Sequence, residues 1–304
     1  MNANHRTAYA LLITTTLLWG GNAIAGKMAI GHLSPMLLSG ARWFLACLVL
    51  YAIYHRRFHA EWPAIRASWV TMALLGILGF TVFNAAMYTA LHYTSAINVS
   101  IEQGAMPMLV FLISYLVFRT SVRPFQVIGL LLSIAGVLVT ASHGDFAGLL
   151  AMQINIGDAY MLAALFVYAA YTVFLVKVPQ ISWQSRMIVL CAFASVGAVP
   201  LIVYEYASGN LVFSGPEAWA ILAYVTIGPS ILSQGFYMLA VDMIGSNRTS
   251  LFINLVPIFG TLLSILFLGE AFQPYHAVAL LLVFGGIWLA ETSGARAARH
   301  PPEA

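Results

Sequence analysis

What most limits the fold of this chain is a succession of apolar stretches, each of roughly 20 residues and long enough to cross a hydrocarbon core of about 30 Å as a helix. They fall near 8 to 29, 35 to 55, 68 to 91, 95 to 118 and 123 to 141, then near 157 to 178, 184 to 206, 216 to 241, 245 to 268 and 272 to 291. In lipid, backbone polar groups must be satisfied within the spanning segment, so stretches of this length predict helices. The expected fold is an all-α membrane protein of ten transmembrane helices. Only 8% of the 304 residues are charged, against about 25% in a soluble domain. A net charge of +3 with no basic run offers nothing to nucleic acid. The run from Tyr9 to Trp19, after His5 and Arg6, has the outline of a signal peptide. It continues through Asn22 to Lys27 without a clear cleavage site and reads as a retained first span. Cys47 and Cys191 both lie in apolar stretches, which favours neither a disulfide nor a thiolate metal site.

Positively charged loops are retained on the cytoplasmic side. Of the 13 Lys and Arg residues, all except Lys27 and Arg42 fall near one set of span ends: Arg6, Arg56, Arg57, Arg66, Arg119, Arg123, Lys177, Arg186, Arg248, Arg296 and Arg299. This distribution predicts a multi-pass protein of the cytoplasmic (inner) membrane with both termini inside.

The chain also carries an internal repeat. Setting Pro107 over Pro257 gives an offset of 150 (257 − 107), which also brings Pro124 to Pro274, Gly136 to Gly286, Ser100 to Ser250 and Ser114 to Ser264. Leu130, Leu131 and Leu132 then meet Leu280, Leu281 and Leu282. Prolines and glycines punctuate helices at fixed depths, so their coincidence weighs more than that of the leucines. With five spans per half, the second half enters the membrane from the opposite face. The expected units are residues 1–145 and 146–304, two inverted five-helix repeats, an arrangement suited to alternating access.

These residues resemble the drug/metabolite transporter superfamily, in particular its EamA-type ten-helix members. The resemblance rests on Leu18-Trp19-Gly20 with Lys27 in span 1, Arg42 early in span 2, Tyr88-Thr89-Ala90-Leu91 leading to Ser95-Ala96, and Leu268-Gly269-Glu270 before a glycine-rich last span. The first half departs from the pattern, with Arg119-Thr120 where the second has Gly269-Glu270. The resemblance implies metabolite transport, commonly of amino acids or related compounds. Export is the expected direction, with nucleobases, nucleotide-derived or drug-like compounds as alternative cargo.

Polar groups at bilayer depth need partners or water, because a charge at the centre costs about 2.5–3.5 kcal/mol on translocon scales. Glu102 and Arg42 lie at similar depth from the same face, so they are expected either to pair as a fixed structural bridge or to serve substrate or proton binding. Lys27 sits near the end of span 1, where it can snorkel. Asn98 and Glu102 share a face of span 4 with Gln103 beside it, followed by Pro107. Asn254 precedes Pro257 in span 9, while Glu102 aligns with Phe252, so a coupling carboxylate is expected only in the first half. Pro107 and Pro257 are expected to break helix hydrogen bonds. Trp19 with Asn22, Asn84 with Tyr88, and Gln234 with Tyr237 each place an amide beside an aromatic, a combination suited to a zwitterionic or partly apolar substrate. Tyr168 and Tyr171 add a wall.

Asp158 and Glu270 are expected at the outer surface, as caps or solvated groups. His32, His55, His59, His92 and His143 fall mostly at span ends without metal spacing, so no metal and no cofactor are expected. Gly129, Gly136, Gly285 and Gly286 permit close helix approach, either in a homodimer or within the chain. The expected partners are a small-molecule substrate, the lipid bilayer and protons as a coupling ion. An intramembrane enzyme would need a motif such as HExxH or GxSxG, which the sequence lacks. A channel or a non-transporting scaffold would need a ring of like charge or a docking surface, and neither is evident. There is no ATP-binding loop.

Overall fold

The computed structural model describes residues 3–119, 124–145, 155–245, 249 and 252–298, which are almost entirely helical. Thr120, Arg123, Arg248, Ser250 and Arg299, used in the repeat and orientation arguments, lie outside them, as does the side chain of Arg296. The first helices are α1 (Ala3–Met28), α2 (Pro35–Ala60) and the short α3 (Trp62–Ala67). α4 (Trp69–Gly76) continues through a π-helical segment (Ile77–Val82) into α5 (Phe83–Ala90). α6 (Ala96–Gln103) and α7 (Met106–Phe118) form one span bent by 43°. α8 (Pro124–Ala141), α9 (Ile156–Phe174) and α10 (Trp183–Ala207) follow. α11 (Gly215–Val225) runs through a second π segment (Thr226–Leu232) into α12 (Ser233–Ile244). α13 (Leu255–Leu263) ends in a third π segment (Ser264–Leu268), and α14 (Pro274–Ala298) closes the chain.

Among the described residues, six helices are long and apolar enough to cross a membrane unaided, and the bent α6–α7 pair makes a seventh if it is one span. The run α11 to α12, α13 and α14 supply the remaining apolar helices. Among the described residues the strand-like pairing is confined to one isolated bridge between Leu33 and Phe213.

Helix ends are fixed by polar caps, and several caps come from distant segments. Pro35 starts α2, where its missing N–H costs nothing. Glu205, near the end of α10, accepts from the Ser34 hydroxyl at 2.7 Å and from the Met36 and Leu37 amides at 3.1 Å each. At the other end of the same pair, Glu61 follows α2 and accepts from the Ser182 amide at 3.0 Å and the Ser182 hydroxyl at 2.7 Å, just before α10. α2 and α10 therefore run antiparallel, each N-terminus facing a carboxylate from its partner, the sign that the helix dipole favours. Glu270 does the same for α6, taking the Ala96 amide at 2.8 Å and the Ile97 amide at 2.9 Å.

Burial pushes the Glu61 carboxyl up, but hydrogen bonds from Ser185 and Ser182 together with nearby Arg57 outweigh this and hold it below its ordinary value of 4.5. A carboxyl depressed in the folded state stabilises fully above its unfolded value, and that stability is lost as pH falls through the folded value. Acidification below 4.5 is therefore expected to lower the melting temperature of the wild type more steeply than that of Glu61→Gln. Melts in detergent across that range check this, and parallel slopes would remove Glu61 from the clamp.

The caps also set which ends lie together. Lys27 at the end of α1 donates to the carbonyls of Leu91 at 2.6 Å and Thr94 at 2.8 Å, next to the Glu270-capped start of α6. The end of α1 and the start of α14 therefore share one end of the bundle, and the chain termini lie toward the other. We call these the far end and the termini end. One buried cluster joins α1, α2, α5, α6, α9 and α11 through residues such as Leu38, Tyr88, Leu165 and Val225. A second joins the later half of α2 to α4 and α10 through Leu50, Met72 and Leu190.

Candidate functional site

On α2 the buried positions Ser39, Arg42, Trp43, Ala46 and Leu50 recur at helical spacing and form one inward face. Arg42 is the charge on that face, and it is only 2% exposed. Its Nη1 donates to Asn22 Oδ1 and Asn84 Oδ1, both at 2.9 Å, and to the Tyr88 hydroxyl oxygen. Its Nε and Nη2 donate to Ser230 Oγ at 2.9 and 2.7 Å. The guanidinium carbon also lies 4.6 Å from the centre of the Trp43 ring, a cation–π distance. Tyr88 in turn donates to Asn22 Oδ1 at 2.9 Å, and Asn84 Nδ2 donates to the Phe80 carbonyl at 2.8 Å.

Four separate segments thus meet at one cation, and every partner is neutral. Two are supplied with the help of π-helical turns, which open the backbone ladder and often mark functional sites. Ser230 lies inside the second π segment, where its hydroxyl donates to the Val225 carbonyl at 2.7 Å. The first π segment carries Phe80, whose carbonyl also accepts from Trp43 Nε1 at 3.2 Å. The charge is oriented and hydrogen-bonded but not neutralised. In low-dielectric surroundings such a group attracts a carboxylate or another anion.

The expected bridge between Arg42 and Glu102 does not form: the Arg42 donors are committed to Asn22, Asn84, Tyr88 and Ser230. Equal depth from one face says nothing about azimuth, and Glu102 interacts instead with Asp158 on α9. Glu102 is fully buried, and neither carboxylate oxygen has a hydrogen-bond partner. Asp158 is a second correction, because it is fully buried too and not a surface group. It approaches Thr94 and Asn98, yet neither of its oxygens closes a hydrogen bond. Asn98 donates to Thr94 Oγ1 at 3.1 Å and accepts from the Tyr275 hydroxyl at 3.4 Å. His276 Nε2 lies 3.1 Å from the same Asn98 oxygen. Lys27 does not snorkel, since it ties down carbonyls at the end of α5.

The other candidates form walls or joints. Trp19 donates to the Pro229 carbonyl at 3.3 Å, and its ring stands 5.6 Å from Tyr237. Tyr168 lies 4.7 Å from Phe83 and 5.2 Å from Tyr171. Gln103 turns back to the Val99 carbonyl at 3.4 Å, while Gln234 and Asn254 are half-buried on α12 and ahead of α13. Pro107 and Pro257 do not sit mid-helix: each lies in the first turn of a new helix, after a break at Gly104–Ala105 and at Asn254. In a first turn the absent N–H is an orphan in any case, so the break and not the proline interrupts the span. Ser230, Trp43, Thr94 and His276 carried no sequence signal of a role.

The profile of the EamA-like transporter family matches this chain twice, over residues 6–142 and 155–292. The chain is 25% identical over 290 residues to the uncharacterized transporter YyaM of Bacillus subtilis, covering 93% of each. It is 28% identical over 284 residues to an uncharacterized transporter of Archaeoglobus fulgidus, covering 92% of this chain and 96% of the relative. A WAT1-related chloroplastic protein of Arabidopsis thaliana is 26% identical, with 92% of this chain and 68% of the relative covered. One crystal structure shares the fold with a TM-score of 0.61 at 21% identity, covering 96% of this chain and 98% of that one. With paired helix breaks, a buried hydrogen-bonded cation and a family profile matched across both halves, the chain belongs to the EamA-like transporter family.

Proposed function

We propose that the protein is a secondary transporter that moves a small metabolite, an amino acid or related compound, across the cytoplasmic membrane by alternating access, in the direction of export. The observation that carries this is the buried Arg42 guanidinium, held by neutral acceptors from three segments and left, among the described residues, without a counter-charge. A substrate carboxylate supplies that counter-charge, and the nearby rings of Trp43, Trp19, Tyr237 and Tyr168 suit the body of such a molecule.

Alternating access rests on residues 1–145 and 146–304 acting as inverted repeats. Several backbone features recur at the sequence offset and support this. The π segments open at Ile77 and Thr226, 149 apart (226 − 77), and the helix breaks fall at Gly104 and Asn254, 150 apart (254 − 104). Arg119 and Gly269, also 150 apart (269 − 119), both take the left-handed conformation, at φ 51° and 65°. That conformation suits glycine and strains arginine, so its retention at Arg119 points to a shared turn and not to residue preference. Arg56, Arg57, Arg66, Lys177 and Arg186 flank helix ends at the termini end, which supports cytoplasmic termini.

Counterflow tests the function. Proteoliposomes preloaded with one unlabelled amino acid are expected to accumulate the labelled compound transiently, in a panel that also holds nucleobases and drug-like cations. If only nucleobases or nucleotide-derived compounds exchange, the cargo class changes. If nothing in a broad panel exchanges, the carrier assignment fails.

A further inference from the structure

We infer that Glu102 and Asp158 together form one proton-binding site inside the bundle, loaded from the far end. This rests on the transporter reading for its use in coupling, but the site itself stands on geometry. Both carboxyls are 0% exposed, on two different helices, and among the described residues all four of their oxygens lack a hydrogen-bond partner. Asp158 approaches Asn98, which lies one helical turn from Glu102 on α6, and its charge acts on Glu102. Two neighbouring carboxylates in an apolar interior cannot both stay ionised, because repulsion adds to the cost of desolvation. One proton bound by the pair removes one of the two charges and with it the repulsion.

The groups around the pair decide the side of access. On α6 itself, Asn98 lies one turn from Glu102. Thr94, whose hydroxyl oxygen accepts from Asn98, lies near Asp158. From α14 come Tyr275 and His276, both converging on Asn98 Oδ1. The Gln273 amide donates to His276 Nδ1 at 2.9 Å, so the neutral ring carries its proton on Nε2, aimed at Asn98. His143, in the turn after α8, is exposed, stands edge-on to Tyr275 at 5.9 Å and acts electrostatically on both Asp158 and His276. Lys27 from α1 is spent on the Leu91 and Thr94 carbonyls and reaches neither acid. α13 brings no titratable side chain to the pair. Polar and titratable groups therefore lead from the pair to the far end, whereas below Glu102 the chain continues into the apolar α7.

The step is a proton transfer only. An O–H bond of hydronium at the far end breaks, leaving water, as the O–H bond on a carboxylate oxygen of the pair forms, with no change in oxidation state. The fit is to a proton and not to a larger cation. Among the described residues no third acid, histidine or cysteine joins the pair in a metal-holding group, and the Thr94 carbonyl is already taken by Lys27.

Dicyclohexylcarbodiimide, an apolar reagent that attacks protonated buried carboxyls, tests this on the purified full-length protein in nanodiscs, read by peptide mass spectrometry. Glu102 or Asp158 is expected to be labelled at neutral pH, with labelling falling as pH rises. Asp158→Asn removes the repelling neighbour, so the Glu102 labelling midpoint is expected to move to lower pH by about one unit or more, the coupling at which two groups titrate as a pair. Asp158→Glu, which keeps the charge, restores the wild-type midpoint. In oriented vesicles the labelling is expected to follow the pH at the far face. Any of four results would overturn the site: no labelling of either acid at any pH, an unmoved midpoint in Asp158→Asn, labelling that follows the pH at the termini face, or protection by sodium at fixed pH. The wild-type measurement requires no variant to fold, and none of these readouts requires transport. Failed counterflow with positive labelling therefore counts against the carrier alone.

Discussion

Arg42→Lys is expected to lower substrate counterflow by on the order of tenfold to a hundredfold while the protein still folds. A hydrogen bond to a charged group contributes about 1.5–3 kcal/mol, and about 1.4 kcal/mol is a factor of ten in rate or affinity. Lysine keeps the charge but is a point donor, and it cannot span Asn22, Asn84, Tyr88 and Ser230 as the planar guanidinium does. Arg42→Gln removes the charge as well, and counterflow is expected to fall below detection. Truncation to Ala is a poorer test, because it leaves four buried polar groups without their shared donor at about 1–3 kcal/mol each. The discriminating comparison is between Ser230→Ala and Arg42→Lys, measured as initial rate and half-saturation in proteoliposomes. Ser230→Ala frees Nε and Nη2 without touching the charge, so it is expected to alter half-saturation more than maximal rate. Wild-type kinetics in Arg42→Lys would make Arg42 a structural tie between α1, α2 and α5, and the substrate carboxylate would have to bind elsewhere.

How much of this was legible in the sequence follows from which kinds of information periodicity carries. Span positions were readable because roughly 20 apolar residues have one solution in lipid. The start of α2 at Pro35 and of α14 at Pro274 was readable for a similarly local reason. Position along a helix was readable too, since each residue adds a fixed rise. Azimuth was not. Arg42 and Glu102 stand at similar distances from the starts of α2 and α6 and face different neighbours, because rotation about a helix axis is set by packing partners that only the tertiary fold supplies. The same gap hid Asp158: at the start of an apolar run it reads as a cap, and nothing in α9 announces that Glu102 will lie across from it. The π segments left no sequence mark beyond their offset, although they set Ser230 against Arg42. Asn22 and Asn84 stand out because amides find no partner in lipid, Tyr88 as the aromatic beside Asn84, and all three meet at Arg42. Gln234 and Asn254 were selected on the same ground and are half-buried elsewhere, so that criterion finds inward-facing residues without assigning them to one site.

The other large effect concerns two adjacent glycines on α14. Gly286→Ala is expected to destabilise the protein by about 1–3 kcal/mol, the range for overpacking, whereas Gly285→Ala is expected to be neutral or mildly stabilising. A Cβ at Gly286 would collide with the Gly129 carbonyl oxygen on α8 and lie 2.6 Å from Ser133 Oγ, while one at Gly285 would meet nothing within 4 Å. The opposing helix has the same dependence, because a Cβ at Gly136 would lie 2.9 Å from the Ala279 carbonyl oxygen and 2.8 Å from a Val283 methyl. α8 and α14 thus approach through backbone, which is how helices associate where lipid offers no hydrophobic driving force. The contact is within the chain, so Gly129, Gly136 and Gly286 are used by α8–α14 packing, whereas Gly285 is not. Removing Gly285 gains helix propensity of up to about 1 kcal/mol with no steric penalty. Thermal unfolding of the two single variants in the same detergent separates packing from propensity, because both make the same chemical change one residue apart. Equal shifts in the two variants would mean that α8 and α14 do not cross at Gly286, and the register that pairs Gly136 with Gly286 would lose its structural support.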